Sequence, residues 1–440
     1  MGGQHRQKAG ALGLGPGWRL ACFSSCTGDI TLEVEQFNHI ILADESEFEF
    51  KPQQGYGIAV DLGTTTVVAQ LINLRDGKVV EAETMLNPQQ RFGADLISRI
   101  QASIDGHAPE MTGIIRTSIG TMIGLMLRKH PVKIRRAVLV GNTVMQQLFS
   151  GSDVTPLATY PFQPADTGKR AFTAKELGWN FPVGEDVVFF PSIGGFVGSD
   201  ILAGIAATGL YKKEEPHGLI DLGTNGEIAV GNRHGIICAS TAAGPAFEGS
   251  NISAGMRAVT GAISSFRMEG DHLAATVIGN GTARGICGSA LIDAIALLRK
   301  MEAIGSYGEI LSGDASIPLS GKISLSQKDI HEFLLAKAAL ATGFSILTNR
   351  MSLVQEDIGE FFIAGGFGNY IHLPHLTETG AIGLPVERIR KMGNTALIGA
   401  KMFLFSGLPL AEEILRITNH ISLERDPGFQ DIFISHMFLE

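Results

Sequence analysis

A chain of 440 residues, 45% hydrophobic and 18% charged, is long enough for two or three domains and has the balance of a globular protein with a sizeable core. Its formal charge of −9 excludes the basic surface that a nucleic-acid partner demands. No apolar run reaches the ~18 residues of a spanning helix and four cysteines make no disulfide framework, so the expected setting is cytoplasmic, with no membrane partner.

The first 50 residues read as separate from the rest of the chain. Arg19–Cys22 and Asp29–Glu35 are short strand candidates, and 44–55 reads as a linker. A stronger pattern begins at Tyr56. Gly57–Asp61 is a buried strand candidate ending in a carboxylate, and Leu62-Gly63-Thr64-Thr65-Thr66 is a tight polar turn. Val67–Leu74 predicts a second strand, Arg75–Lys78 holds an Asp-Gly hairpin signal, and Val79–Met85 predicts a third strand. In Gly93–Ile104, helical spacing puts Leu96, Ile97, Ile100 and Ile104 on one face. Asp200–Leu210 and Leu291–Met301 are similar helical segments.

The strand–turn–strand–hairpin–strand unit then recurs. Gly218–Asp221 ends in Asp, Leu222-Gly223-Thr224-Asn225-Gly226 is the turn, and Glu227–Gly231, Asn232–Gly235 and Ile236–Ser240 complete the unit. Asp-Leu-Gly-Thr stands identically at both places. Two such units imply related halves facing each other across a cleft.

The chemistry of the paired turns is that of an anion site. Gly and Thr present backbone N–H groups and hydroxyls to one spot, which suits phosphate. Asp61 and Asp221 cannot touch phosphate directly, and make sense with Mg²⁺ or an ordered water between. Gly63, Thr64, Thr65, Thr66, Gly223, Thr224, Asn225 and Gly226 are therefore the candidate phosphate contacts.

With these turns the sequence resembles the actin-like superfamily of sugar kinases and heat-shock ATPases. Phe361–Asn369 resembles its adenosine motif, which assigns Gly365, Gly366, Phe367 and Asn369 to the nucleoside; Gly-Gly lets backbone approach base and sugar. Arg136–Met145 and Gly285–Ala296 resemble its two connecting segments at the hinge. The fold class implied is α/β: a duplicated actin-like (ribonuclease H-like) ATPase fold, two lobes around a nucleotide cleft, with a short N-terminal β remnant. The expected divisions are 1–54 as a ferredoxin-like remnant and linker, 55–213 as lobe I and 214–440 as lobe II.

A narrower resemblance covers roughly residues 17–440. Asn87-Pro88-Gln89, Phe92–Asp95, Gly194–Asp200, Ala242–Gly249, Gly255–Ala258 and Ala336–Ala339 resemble the reductive activators of corrinoid-dependent enzymes. That resemblance implies ATP and Mg²⁺ as cofactors, and ATP-driven reduction of a cob(II)amide in a corrinoid protein or corrinoid methyltransferase. It also implies an N-terminal plant-type [2Fe–2S] domain. Gly17–Cys22 resembles the segment of the fourth ligand, so Cys22 is a lone match. The Cys-x₄-Cys-x₂-Cys run such a cluster needs has no counterpart in residues 1–21. The cluster is not expected on these residues, and a donor such as ferredoxin would supply electrons. A homodimer is a further expectation.

Other residues carry two readings. Glu248 either orients an attacking water or is structural. Asp95 and Asp200 precede helices and read first as caps, although either could serve a kinase as base. Lys337 either reaches the nucleotide or carries its charge to water over an apolar stem. Cys238 and Cys287 read as buried core thiols. His372 and His375 are the closest histidine pair, in no zinc-type Cys/His spacing. The competing functions are a small-molecule kinase of the same superfamily and a nucleotide switch without a redox role.

Overall fold

The computed structural model describes residues 48–439 apart from 224, 366 and 367; residues 245 and 369 are described by backbone alone. The strand candidates before residue 48, and Cys22, lie outside the described residues. β1 (Tyr56–Leu62), β2 (Thr66–Asn73) and β3 (Val79–Leu86) form an antiparallel meander. Two helices follow, α1 (Leu96–Ala102) and α2 (Ala108–Lys129), before β4 (Ile134–Val140) returns parallel to β1. Next come α3 (Thr143–Ser150), β5 (Arg170–Phe172) and β6 (Val187–Phe189), which complete a sheet of order β3-β2-β1-β4-β6-β5.

After α4 (Ser199–Thr208) the design repeats. β7 (His217–Leu222), β8 (Gly226–Asn232) and β9 (Gly235–Thr241) are again an antiparallel meander. An inserted three-stranded sheet holds β10 (Ala262–Glu269), β11 (His272–Val277) and β12 (Gly285–Ile286). It leads through α5 (Gly288–Lys300), the β13–β14 hairpin (Ser316–Ser320 and Ile323–Ser326) and α6 (Gln327–Arg350) to β15 (Phe361–Ala364), parallel to β7. Then follow α7 (Leu373–Glu378), β16 (Ile389–Gly393), α8 (Thr395–Ser406), α9 (Leu408–Ile417), β17 (Thr418–His420) and α10 (Phe429–Ser435). The second sheet runs β16-β15-β7-β8-β9-β17. The repeated strand unit of the sequence is thus one half of a duplicated actin-like fold.

The period of two explains how the layers stack. In β1, Ile58, Val60 and Leu62 face an outer core with α2 and α3, while Ala59 faces inward. In β7, Ile220 and Leu222 face an outer core with α5 and α6, while Leu219 faces inward. Both sheets share the inner core, which α4 and α8 fill. Strands apolar on both faces are those of a sheet covered on both sides.

The helices that cross between the sheets are α4 and α8, so one expected hinge segment is corrected. Gly285–Ala296 forms β12 and the start of α5, and Ala290, Leu291, Ala294 and Ile295 bury it in the outer core of the second lobe. The other expected segment, around Gly141, does abut α4: Ser199 N–H donates to the Gly141 carbonyl at 2.9 Å. At the crossing, a Cβ on Gly399 would fall inside the van der Waals shell of the Ala203 backbone. No rotamer relieves a clash with backbone. Gly399→Ala is expected to destabilise the fold by about 1–3 kcal/mol despite the better helix propensity of Ala; an unchanged denaturation midpoint would show that the crossing is looser than this.

The helical face read in Gly93–Ile104 is half right. Leu96 and Ile100 are buried, but Ile97 is 63% and Ile104 43% exposed. The helix ends at Ala102, and a π-helical turn with Gly106 at φ 102° redirects the chain into α2. Segment 48–55 is no free linker: Phe50 packs on Phe405 with ring centroids 4.4 Å apart, and the Gln53 amide donates to the Phe405 carbonyl at 3.0 Å.

Candidate nucleotide site

The same local construction is made twice. Parallel pairing sets Asp61 beside Val140 and Asp221 beside Ala364. The next residue after each neighbouring strand is a glycine. A Cβ on Gly141 would lie 2.6 Å from the Leu62 carbonyl oxygen, and one on Gly365 would lie 2.6 Å from that of Leu222 and 2.8 Å from Asp221 Oδ1. Only glycine permits this approach, and Gly365 also needs a φ of +94°. The expected adenosine turn therefore rests directly on the second phosphate turn. Of its other residues, Gly366 and Phe367 lie outside the described residues, as does Thr224, and Asn369 is described by backbone alone.

The two turns differ by one residue. In the first, Gly63 N–H donates to the Thr66 carbonyl at 3.0 Å; in the second, Gly223 N–H donates to the Asn225 carbonyl at 3.1 Å. Asp61 consequently lies across from Val68, but Asp221 lies across from Glu227. The shorter turn places a fourth carboxylate where the first lobe has valine.

Asn side chains fix the first turn. Asn87 Nδ2 donates to the Gly63 carbonyl at 2.9 Å, and Gln90 Nε2 to that of Thr65 at 2.9 Å. Asn142 caps α3 through Oδ1 and donates through Nδ2 to Thr64 Oγ1 at 3.0 Å. Thr66 opens β2, and Gly226 opens β8 against Leu340. Asn394 joins the lobes: it caps α8 through Oδ1 and donates through Nδ2 to Asp61 Oδ2 at 2.8 Å.

Asp61, Asp200, Asp221 and Glu227 form one electrostatic group. The first three keep part of their surface open, as a site that admits a ligand must, yet the protein around them withholds most of the water that favours ionisation. Burial raises Asp61 to about 6, against the bond from Asn394. Burial and then Asp61 raise Asp221 to about 7. Burial, then Asp221 and Asp61, raise Asp200 to about 8. Glu227 is pushed well above the carboxylate range by burial, Asp200 and Asp221. Among the described residues, the side chains that shift them are one another, Asn394 and Ser240. Such a group keeps its charge only if a cation is supplied from outside. The donors are hard oxygens, the chemistry of Mg²⁺ bound mostly through water.

Asp200 is therefore not the cap its sequence position suggests. Gly198 is the N-cap of α4, and Asp200 stands in the first turn with its carboxylate in the cleft group. Asp95 is a cap, in a reciprocal box with Ser98. Glu248 closes a short 3₁₀ turn, Pro245–Glu248, and is half-buried. Lys337 does not carry its charge to water: it is 1% exposed, donates to the Gly380 carbonyl at 3.4 Å and lies over the Phe438 ring. Cys238 and Cys287 are buried free thiols, and burial pushes Cys238 up.

Sequence reading missed Glu227 and Asn394. A lone Glu in an apolar strand just after the second turn was the available signal for the first. For Asn394 the visible signal was only that of a helix cap.

Comparison with known proteins agrees with this construction. Residues 215–440 match the C-terminal domain of RACo, the ASKHA domain, and residues 56–213 match the RACo middle region. The corrinoid activation enzyme RamQ of Eubacterium limosum is 34% identical over 90% of this chain and 73% of its own. The Co(II) methylated amine-specific corrinoid protein reductase of Methanosarcina barkeri is 26% identical over 84% of this chain and 73% of its own. Among solved structures, the reductive activator for corrinoid, iron-sulfur protein is 32% identical with a TM-score of 0.76, over 88% of this chain and 66% of that one. With its two turns, its shared inner core and these relatives, the chain belongs to the family of reductive activators of corrinoid proteins that carry an ASKHA domain.

Proposed function

We propose that this chain binds Mg·ATP between its two lobes and couples ATP hydrolysis to one-electron reduction of a partner corrinoid from cob(II)amide to cob(I)amide. The observation that carries the nucleotide part is the mutually repelling carboxylate group Asp61, Asp200, Asp221 and Glu227, framed by the two Gly turns. The partner follows from the relatives, which are named for corrinoid activation and corrinoid protein reduction.

Asp61 and Asp221 would hold Mg²⁺, whose charge would offset that of the phosphates. Gly63–Thr66 and Gly223–Gly226 cradle the phosphates, and Gly365, Gly366, Phe367 and Asn369 receive the nucleoside. Glu248 orients the attacking water. Asn394 holds Asp61 from the opposite lobe, which ties this carboxylate to the relative placement of the lobes.

The residues do not fit a plant-type [2Fe–2S] cluster. Four thiolates are needed, Cys22 is the lone match, and Cys238 and Cys287 are buried within the second lobe. A donor of the ferredoxin class would supply the electron. The partner is a corrinoid protein or corrinoid methyltransferase.

The test follows ATP hydrolysis and the cobalt spectrum together, with a reduced ferredoxin and a cob(II)amide-loaded corrinoid protein. ATP-dependent appearance of the cob(I)amide spectrum is expected. Nucleotide turnover with no cobalt change would sink the redox coupling, and turnover that instead requires a sugar or carboxylate would identify a small-molecule kinase.

A further inference from the structure

A second cluster lies away from the cleft carboxylates, where α5 meets α7. Asp293 is 2% exposed in the middle of α5, and its Oδ2 accepts the Phe266 N–H at 3.0 Å. Its Oδ1 lies 2.7 Å from His375 Nδ1 on α7. His372 is the N-cap residue of the same helix, is exposed, and its ring centroid stands 4.1 Å from that of His375. Among the described residues these are the one set of three in which a ligand atom from each lies within 4.8 Å of the others.

Several features go beyond what a helix clamp needs. A buried Asp–His pair alone would fasten α7 to α5. It would not need a second imidazole against the first. Each imidazole offers a ring nitrogen within 4.8 Å of the other ligand atoms of the cluster. Asp293 is fixed by a backbone amide, which orients it as metal sites orient their carboxylates. We propose that Asp293, His372 and His375 form a site for a divalent transition metal of the Zn²⁺ class. Two imidazoles and one carboxylate leave a fourth position open, toward the exposed side where His372 stands. The site requires small side-chain shifts, since Zn–N and Zn–O bonds are about 2.0–2.2 Å.

One group opposes this. Lys391 on β16 is exposed and interacts electrostatically with both Asp293 and His372. If its charge fully offsets that of Asp293, the cluster takes no cation.

The experiment uses Zn²⁺ alone as probe, in the full chain with Cys22→Ser and Cys26→Ser, because thiols compete for zinc. Saturating Mg·ADP occupies the cleft carboxylates. Competition with a chromophoric chelator is expected to show one Zn²⁺ per chain. His372→Ala, an exposed change that spares the fold, is expected to weaken it at least tenfold. Co²⁺ substitution supplies a second readout: ligand-field bands of a four-coordinate site in the parent, lost in His372→Ala. Equal zinc affinity in parent and His372→Ala, or no stoichiometric zinc in the parent, overturns the proposal and leaves the Asp293–His375 pair as a helix clamp.

Discussion

Asp221→Asn is expected to lower Mg²⁺-dependent ATP turnover about a hundredfold or more while leaving the ligand-free chain as stable as the parent, or more so. The change is isosteric, so packing around Gly365 is kept. It removes one charge from a group in which Asp61, Asp200 and Glu227 already repel it. Without a bound cation that repulsion costs the native state free energy, and Asn relieves it. With Mg·ATP the same charge is needed to hold the metal's water shell, and losing a preorganised electrostatic partner costs about 10²–10³ in rate. Asp61→Asn should behave alike in turnover. Its side-chain oxygen can still accept from Asn394, so the inter-lobe bond survives. Steady-state hydrolysis across a Mg²⁺ titration, beside chemical denaturation, separates the two effects. Turnover within a few-fold of the parent in both variants would remove the site assignment. A turnover loss that merely tracks lost stability would assign these aspartates a structural role.

Much of this architecture is visible in the sequence because it is written in local terms. Each sheet is seeded by a strand, a Gly-Thr turn and a hairpin, and these are short-range signals that tertiary context reinforces. The strand that ends at Gly365 beside the second turn is legible for the same reason. The hidden parts depend on register or long-range contact. Glu227 enters the cleft only because the second turn is one residue shorter than the first, a fact of pairing rather than of composition. Asn394 looks like any helix cap until the fold brings it to Asp61 across the lobes. Asp200 reads as a cap because its neighbours invite that, yet Gly198 takes the cap and frees the carboxylate. The crossing pair is not legible because α4 and α8 are apolar all round, which marks burial but not what they are buried between.

The same carboxylates predict how stability depends on pH. Asp61, Asp221 and Asp200 titrate at about 6, about 7 and about 8 in the folded chain, above their ordinary values. Between the ordinary range and those values the native state holds more protons than the unfolded state. Stability is therefore greatest at low pH in this window and falls as pH rises through the folded values. His372, His420 and His436 act in the opposite sense, since burial lowers each of them. Their effect is nearly complete one unit above their ordinary pKa of ~6.5, at about pH 7.5, beyond which they are neutral in both states. The decisive window thus runs from about pH 7.5 to about pH 8.5, where Asp200 and the tail of Asp221 still titrate and the histidines do not. Ligand-free protein is expected to lose stability across it. Each extra proton held by the native state contributes at most about 1.4 kcal/mol per pH unit, and solvent entering the partly open cleft reduces that figure. Saturating Mg·ADP should flatten the slope, because the cation replaces the protons and its binding releases them. Asp221→Asn should flatten it without ligand. Denaturant midpoints at the two ends of the window, with and without Mg·ADP, decide the matter. A ligand-free chain that gains stability toward pH 8.5 would mean that the cleft carboxylates are already neutralised by the protein itself, and the case for an external cation would fall with them.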